Sequence, residues 1–222
     1  MISQRLQTIA SFLPPAKTIA DVGCDHGFLI IEGFLKHHLE KAIAIDNKPM
    51  PLAKAKNNLL GYDFFNRVDF VLSDGLENLT SEVDAIILTG MGGMTVIGIL
   101  SRDFSKIGNS RLIVQANRDV MEVRKFLAER GYAIINENVI FEDKKFYEIC
   151  VFEKSLQPVV YTEEELCFGP VLLQRRSDVF LSKLRNDLRI LTAINFQTEE
   201  NQKRIKNIKE ILGSVKNLVY FH

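Results

Sequence analysis

The chain has 222 residues, of which 46% are hydrophobic and 25% charged, and its 28 Lys and Arg are matched by 28 Asp and Glu. Such a length and apolar content suit one full domain plus a small addition. The zero net charge excludes the uniformly basic composition of a dedicated nucleic-acid-coating protein. Charge is nevertheless uneven, because residues 170–222 carry ten Lys/Arg against five Asp/Glu, so an acidic body precedes a basic end. No secretory signal precedes the three cysteines (Cys24, Cys150 and Cys167) and none forms a CxxC pair. They read as reduced thiols of a cytoplasmic protein. The longest uncharged run, residues 85–101, is interrupted by Gly90, Gly92, Gly93 and Gly98. It is too short and too broken for a membrane span. No metal site is expected.

Residues 4–13 place Leu6, Ile9 and Leu13 at helical spacing, and Pro14-Pro15 end that helix. The stretch TIADVGCDHGFLII, residues 18–31, then organises the chain. Ile19, Ala20 and Val22 form a short strand, Gly23-Cys24-Asp25-His26-Gly27 a turn, and Phe28, Leu29, Ile31, Phe34 and Leu35 an apolar-periodic helix. Glycine directly after a buried strand permits a tight turn and lets the backbone approach a ligand. A helix start just beyond it offers free N–H groups to anionic atoms. Taken alone, the turn requires no more than a glycine and an Asp25 cap, and Cys24 reads as a small filler.

The pattern repeats. About two dozen residues on, Ala42-Ile43-Ala44-Ile45 ends in Asp46, near the spacing of a ribose-binding acid. Pro49 and Pro51 open a helix running to about Leu60, with Gly61 ending it. A third run, residues 68–72, ends in Ser73-Asp74-Gly75, where a carboxylate suits the amino group of adenine. Three successive strand tips, each with a carboxylate, describe a nucleoside-binding edge.

Residues 83–89 make a fourth strand, followed by Gly90-Met91-Gly92-Gly93 and a short helix, and residues 111–115 make a fifth. An amphipathic helix over 120–130 closes at Gly131. Strands over 133–140 and 146–152, joined by Glu142-Asp143-Lys144-Lys145, form a hairpin. Strands alternating with helices imply a parallel sheet with right-handed crossovers, and the hairpin adds one antiparallel strand. The expected fold is therefore α/β, a Rossmann-like, mostly parallel sheet with a terminal antiparallel strand, the architecture of class I methyltransferases. Ligands of such sheets bind at the carboxyl ends of the strands, where Gly23, Asp46, Asp74 and Gly90 fall. A dehydrogenase turn would read GxGxxG, which is absent here.

Beyond about Gly169 the character changes. Leu181, Leu184, Leu188 and Leu191 recur at 3-4-3 spacing, and Ile205, Ile208, Leu212 and Val215 repeat it after a polar stretch. This predicts an antiparallel, coiled-coil-like helical hairpin, leaning on the main domain because two heptads per helix are few. Two parts are expected, residues 1–160 and 161–222. Lys183, Arg185, Arg189, Lys203, Arg204, Lys206 and Lys209 sit off the seams. As a set they suit phosphate.

With these pieces in place, the chain resembles the bacterial tRNA (adenine-22-N1)-methyltransferase family over nearly its whole length. The residues that carry the resemblance are DVGCDHGFL (21–29), SDGL (73–76), TGMGG (89–93), LIVQAN (112–117) and EDKKFYEI (142–149), with the terminal hairpin. The Asp-His pair within the glycine turn, joined to a GMGG loop on strand four, is the specific part. Gly27, Phe28, Ile30, Thr89 and Ala116 depart from the family pattern, where Ala, Tyr, Pro, Ala and Pro are usual.

The resemblance implies S-adenosylmethionine as cofactor, tRNA as substrate, and methyl delivery to adenine N1 in the D-arm region. The residues then assign Asp21, Gly23, Asp46, Asn47, Asp74 and Gly75 to the cofactor, with Asp21 chiefly holding the glycine turn. Asp25 and His26 fall at the reaction edge, with Gly90, Met91 and Gly92 walling the base pocket. Met91 also reads as core packing, His26 as a helix-start histidine, and Asn117 as a turn former or base contact. Residue spacing alone reaches an adenosyl-binding methyltransferase with a basic helical arm. It leaves open a small-molecule or protein acceptor, and a non-catalytic RNA-binding protein on the same fold.

Overall fold

The computed structural model describes residues 2–15 and 18–219, with side chains described as far as Ser214. Val215 of the expected seam lies outside those side chains. The elements run α1 Gln4–Ala10, β1 Thr18–Val22, α2 Phe28–Lys36, β2 Lys41–Asp46, α3 Pro49–Leu59, β3 Val68–Leu72, β4 Ala85–Met91 and α4 Gly93–Arg102. They continue with β5 Arg111–Ala116, α5 Val120–Ala128, β6 Tyr132–Glu142, β7 Lys145–Lys154, α6 Glu163–Phe168, α7 Pro170–Arg175, α8 Asp178–Thr192 and α9 Glu199–Val219.

The strands form one sheet of order β3-β2-β1-β4-β5-β7-β6. β1 to β5 are parallel neighbours, and β7 is antiparallel to both β5 and β6. The antiparallel strand is last in sequence but not at the sheet margin: β7 enters between β5 and β6. The hairpin turns on Asp143 and Lys144, with φ of 49° and 62°, a pair of left-handed residues that matches the twist of the flanking strands.

Side-chain alternation divides the core between the two faces. Ala20, Val22, Ile43, Ile45, Ile86, Leu88, Leu112 and Val114 face α4 and α5, which contribute Val96, Leu100, Val123 and Leu127. Ile19, Ala42, Ala44, Ile87 and Ile113 face the other way, against Ile9, Leu29, Ile30, Ala55 and Leu59 of α1, α2 and α3. A strand buried on both faces reads as an unbroken apolar run, which is why these were conspicuous in sequence.

Two short helices, α6 and α7, were not anticipated. α6 starts with a reciprocal cap between Thr162 and Glu165, and α7 has a proline in its first turn. They bring the chain back over β6 and β7, where a buried ionic cluster fastens the terminal helices. Arg124 and Glu137 are both fully buried and pair at 2.8 Å, and Arg124 also reaches Glu148 at 2.7 Å. The Glu137 carboxylate accepts the Val171 and Leu172 N–H groups at 3.0 and 3.4 Å. Gly169 lets it approach so closely, because a Cβ there would lie 2.5 Å from Glu137 Oε2.

The terminal helices are antiparallel. Arg176, just before α8, donates to Ser214 near the end of α9 at 2.7 Å, while Asp187 and Arg204 lie 3.7 Å apart midway. The seam differs in detail from the expected one. Phe180, Leu181, Leu184, Ile208 and Ile211 are buried, with Leu188, Leu191 and Leu212 packed against them. Ile205 instead lines a surface groove with Lys206 and Lys209. Lys183 also departs from its expected solvent-facing place. It is largely buried between Glu148 and Asp187, at 2.9 and 2.8 Å. The Lys183 correction has a plain cause: α8 packs on β6 as well as on α9, so its buried arc is wider than a two-helix seam.

Among the described residues no helix is long and apolar enough to cross a membrane. Nor does any group of three or more His, Cys, Asp or Glu stand ready to hold a metal ion among them.

Candidate active site at the carboxyl ends of the strands

β1 separates two strands that follow it in sequence, β2 on one side and β4 on the other. Crossovers therefore leave in opposite directions and open a crevice at the carboxyl ends. Along that edge the sheet order sets Asp74 beside Asp46, then the Gly23 turn, then Gly90, and finally Asn117 beyond β5.

The Gly23 turn is held across the sheet edge, with the N–H groups of Gly23 and Cys24 donating to Ile45 C=O at 2.8 and 3.0 Å. Gly23 has φ of 78°, and a Cβ on it would meet Met91 Cε at 3.3 Å. Met91 thus packs over the turn as well as against the core. Asp25 takes a left-handed φ of 45°, and its Oδ1 lies 3.7 Å from His26 Nε2. The His26 ring stacks on Phe28 with centroids 5.4 Å apart, and its backbone C=O accepts Asn58 Nδ2 at 3.0 Å.

A cleft of about 290 Å³ brings together Asp21, Gly23, Cys24, Asp25, His26, Thr89 and Gly90, with Arg5 closing one side. Asp21 is 3% exposed. Burial, and then the neighbouring Asp46 and Asp25 carboxylates, push its carboxyl up to about 7. Three carboxyl groups this close make a site of negative potential that suits a cationic ligand. The same surroundings push the Cys24 thiol strongly up, burial first and Asp21 next. A thiol so held stays protonated and is no nucleophile.

Asp46 is nearly buried and accepts the Lys48 N–H on Oδ1 at 2.9 Å. Asn47 is exposed beside it. Ser73 N–H donates to Asp46 C=O at 2.9 Å, which ties the third strand tip to the second. Asp74 is exposed and held by Arg102. On the other side of the crevice, a bulge in β4 between Thr89 and Met91 lifts Gly90 out of register. Gln115 and Asn117 clamp it: Gly90 N–H donates to Gln115 Oε1 at 3.3 Å, and Asn117 Nδ2 donates to Gly90 C=O at 2.8 Å. Gly92 caps the start of α4.

Sequence reasoning missed Arg5 and Gln115. Arg5 Nη1 donates to Gln115 Oε1 at 3.0 Å, and its guanidinium sits 5.0 Å from the centre of the Tyr147 ring. Glu142 Oε1 accepts the Gln4 and Arg5 N–H groups, at 2.6 and 3.4 Å, and so holds the start of α1 beside the site. No local signal marks Arg5, because its partners lie more than a hundred residues away. A larger hollow, about 610 Å³, lies at the opposite ends of the strands around Thr18, Asp84 and Ser110, away from every residue that the sequence assigns to cofactor or substrate.

A seven-stranded sheet of this order, with an inserted antiparallel strand and carboxylates on three consecutive strand tips, defines a class I methyltransferase fold. The family model that matches, over residues 19–217, is TrmK, tRNA (adenine(22)-N(1))-methyltransferase, and the chain belongs to that family. It is 31% identical to the tRNA (adenine(22)-N(1))-methyltransferase of Bacillus subtilis, over 98% of this chain and 97% of that one. The structure of a Streptococcus pneumoniae candidate tRNA (m1A22) methyltransferase in complex with S-adenosyl-L-methionine superposes with a TM-score of 0.85 at 32% identity, covering 96% of this chain and all of that one. Mycoplasma capricolum TrmK in complex with S-adenosyl-homocysteine does so with a TM-score of 0.84 at 28% identity, over 96% and 98% of the two chains.

Proposed function

We propose that this chain transfers a methyl group from S-adenosylmethionine to N1 of adenine 22 of tRNA in the cytoplasm. The observation that carries the reading is the row of Asp74, Asp46, the Gly23 turn and Gly90 on adjacent strand tips, beside a cleft with a buried carboxyl. The residues fit the cofactor. Its sulfonium and ammonium charges suit the potential of Asp21, Asp25 and Asp46, and its ribose suits the Asp46 carboxylate, with Asn47 beside it. Its adenine suits Asp74 and Gly75. When bound, the cofactor supplies an electrophilic methyl group.

Adenine N1 has a lone pair and no proton, so no residue need act as a general base. The demand on the protein is to hold an unstacked base in line. Gly90, Met91 and Gly92 form one wall for that base, and the His26–Phe28 stack, which lines the same cleft as Gly90, offers an aromatic face. Developing positive charge on the purine is met by the Asp25 carboxylate and nearby backbone carbonyls.

In this reading residues 1–160 are the cofactor-binding body and residues 161–222 the tRNA-contacting arm. Arg185, Arg189, Lys206 and Lys209 are exposed on it and serve as phosphate contacts, as do Lys203 and Arg204 with their ion-pair partners Glu163 and Asp187. Lys183 anchors the arm instead.

The test is methyl transfer from labelled S-adenosylmethionine to an unmodified tRNA transcript, alongside a transcript with guanine at position 22. Incorporation with a primer-extension stop at the adenine, absent from the guanine transcript, supports the reading. Incorporation into both transcripts overturns the target atom. Cofactor binding without incorporation into either overturns the substrate.

A further inference from the structure

We propose that Arg102, the last residue of α4, is a positioning residue for the adenine end of the cofactor, acting through Asp74. The inference rests on the reading of Asp74 as acceptor of the adenine amino group. Arg102 grips Asp74 twice, with Nη1 donating to Oδ2 at 2.8 Å and Nη2 to the backbone C=O at 2.5 Å. Its Nε lies 3.3 Å from Asp103 Oδ2, which steadies the guanidinium from behind. A planar donor fork that spans a carboxylate and the carbonyl of the same residue fixes that side chain's torsions as well as its position.

The loop is built to receive this grip. Gly75 has φ of 65°, and a Cβ on it would lie 2.9 Å from Arg102 Nη2 and 2.7 Å from Ile99 Cγ2. A larger residue there would press on the Arg102 guanidinium and on Ile99, and its left-handed backbone favours glycine. The loop backbone is pinned independently, by Ser73 N–H on Asp46 C=O and by Asn78, which donates its N–H to Ser73 Oγ at 3.0 Å and Nδ2 to Leu72 C=O at 3.0 Å. The remaining freedom is the Asp74 side chain, exposed at the strand tip. Arg102 engages Oδ2 and leaves Oδ1 to meet an exocyclic amino group. A carboxylate oriented before the ligand arrives binds it with a smaller ordering cost.

The experiment is calorimetric titration of the full chain with S-adenosylhomocysteine and with S-inosylhomocysteine, whose 6-oxo group cannot donate to a carboxylate. Wild type prefers the adenosyl ligand, and Asp74→Ala abolishes the preference. Arg102→Met weakens adenosyl binding roughly fivefold and leaves inosyl binding unchanged. KM for the methyl donor rises with it, while kcat on tRNA holds. A merely structural role would weaken both ligands alike and lower the melting temperature. Wild-type discrimination in Arg102→Met, or equal weakening of both ligands, overturns the inference. Discrimination that survives Asp74→Ala instead removes the reading of Asp74 on which it rests.

Discussion

Lys183 of α8 and Glu148 of the inserted antiparallel strand meet at 2.9 Å where the terminal arm joins the sheet. Burial would raise the Glu148 carboxyl, but Lys183 and Arg124 outweigh it and hold it down at about 2. The antiparallel strand thus does two jobs, completing the sheet and presenting the carboxylate on which the arm is seated.

Acid should loosen this junction first. A carboxyl whose folded pKa lies below its ordinary 4.5 contributes stability that is fully present above that pH and is lost as pH falls toward 2. Lys183→Met leaves Glu148 with Arg124 alone and costs about 3 kcal/mol at neutral pH, as expected for a broken buried pair. Acid titration followed by circular dichroism should show the variant unfolding at a higher pH than wild type.

Asp21 has the opposite sign. Its folded pKa of about 7 stands above the ordinary 3.8, so between those values the folded chain holds a proton that the unfolded chain has released. Stability falls as pH rises through that window, by a few kcal/mol in all. Asp21→Asn should therefore raise the melting temperature at pH 8 by several degrees and have little effect at pH 4. Cofactor affinity of wild type should climb between pH 6 and pH 8 as the carboxylate ionises, whereas the variant should bind weakly with a flat profile.

Asp46→Ala should raise the dissociation constant for S-adenosylmethionine by about a hundredfold, the loss of charge-assisted bonds to two ribose hydroxyls. Calorimetry with full-length protein measures it. An unchanged constant would remove the ribose assignment.

The arm makes a separable prediction. Arg185→Glu with Arg189→Glu should cut tRNA affinity at least tenfold and flatten its salt dependence, since each phosphate contact releases counterions. Cofactor affinity should stay at the wild-type value. Filter binding across a range of salt concentrations reads both quantities.

Much of the candidate site was legible in the chain because its parts are local. A buried strand, a glycine and a carboxylate occupy a few adjacent residues, so Gly23, Asp46 and Asp74 announced themselves, and the parallel order then set them side by side. Arg5, Gln115 and Arg102 gave no such signal. Each acts on a residue remote in sequence, and an isolated arginine or glutamine looks like any other surface residue. Lys183 misled for the same reason: a lysine off a leucine seam is exposed on a two-helix arm, but not where a third surface packs against it.

By itself the sequence determined the alternation of strands and helices, the two-faced core and the positions of the strand tips. Unbroken apolar runs and turn chemistry act over a few residues and are written there directly. Only the tertiary structure decided that β7 enters between β5 and β6, that a buried Arg124–Glu137–Glu148 cluster seats the arm, and that Arg102 grips Asp74. Those outcomes depend on desolvated charges finding partners across long stretches of chain, a balance fixed by three-dimensional proximity and not by any local pattern.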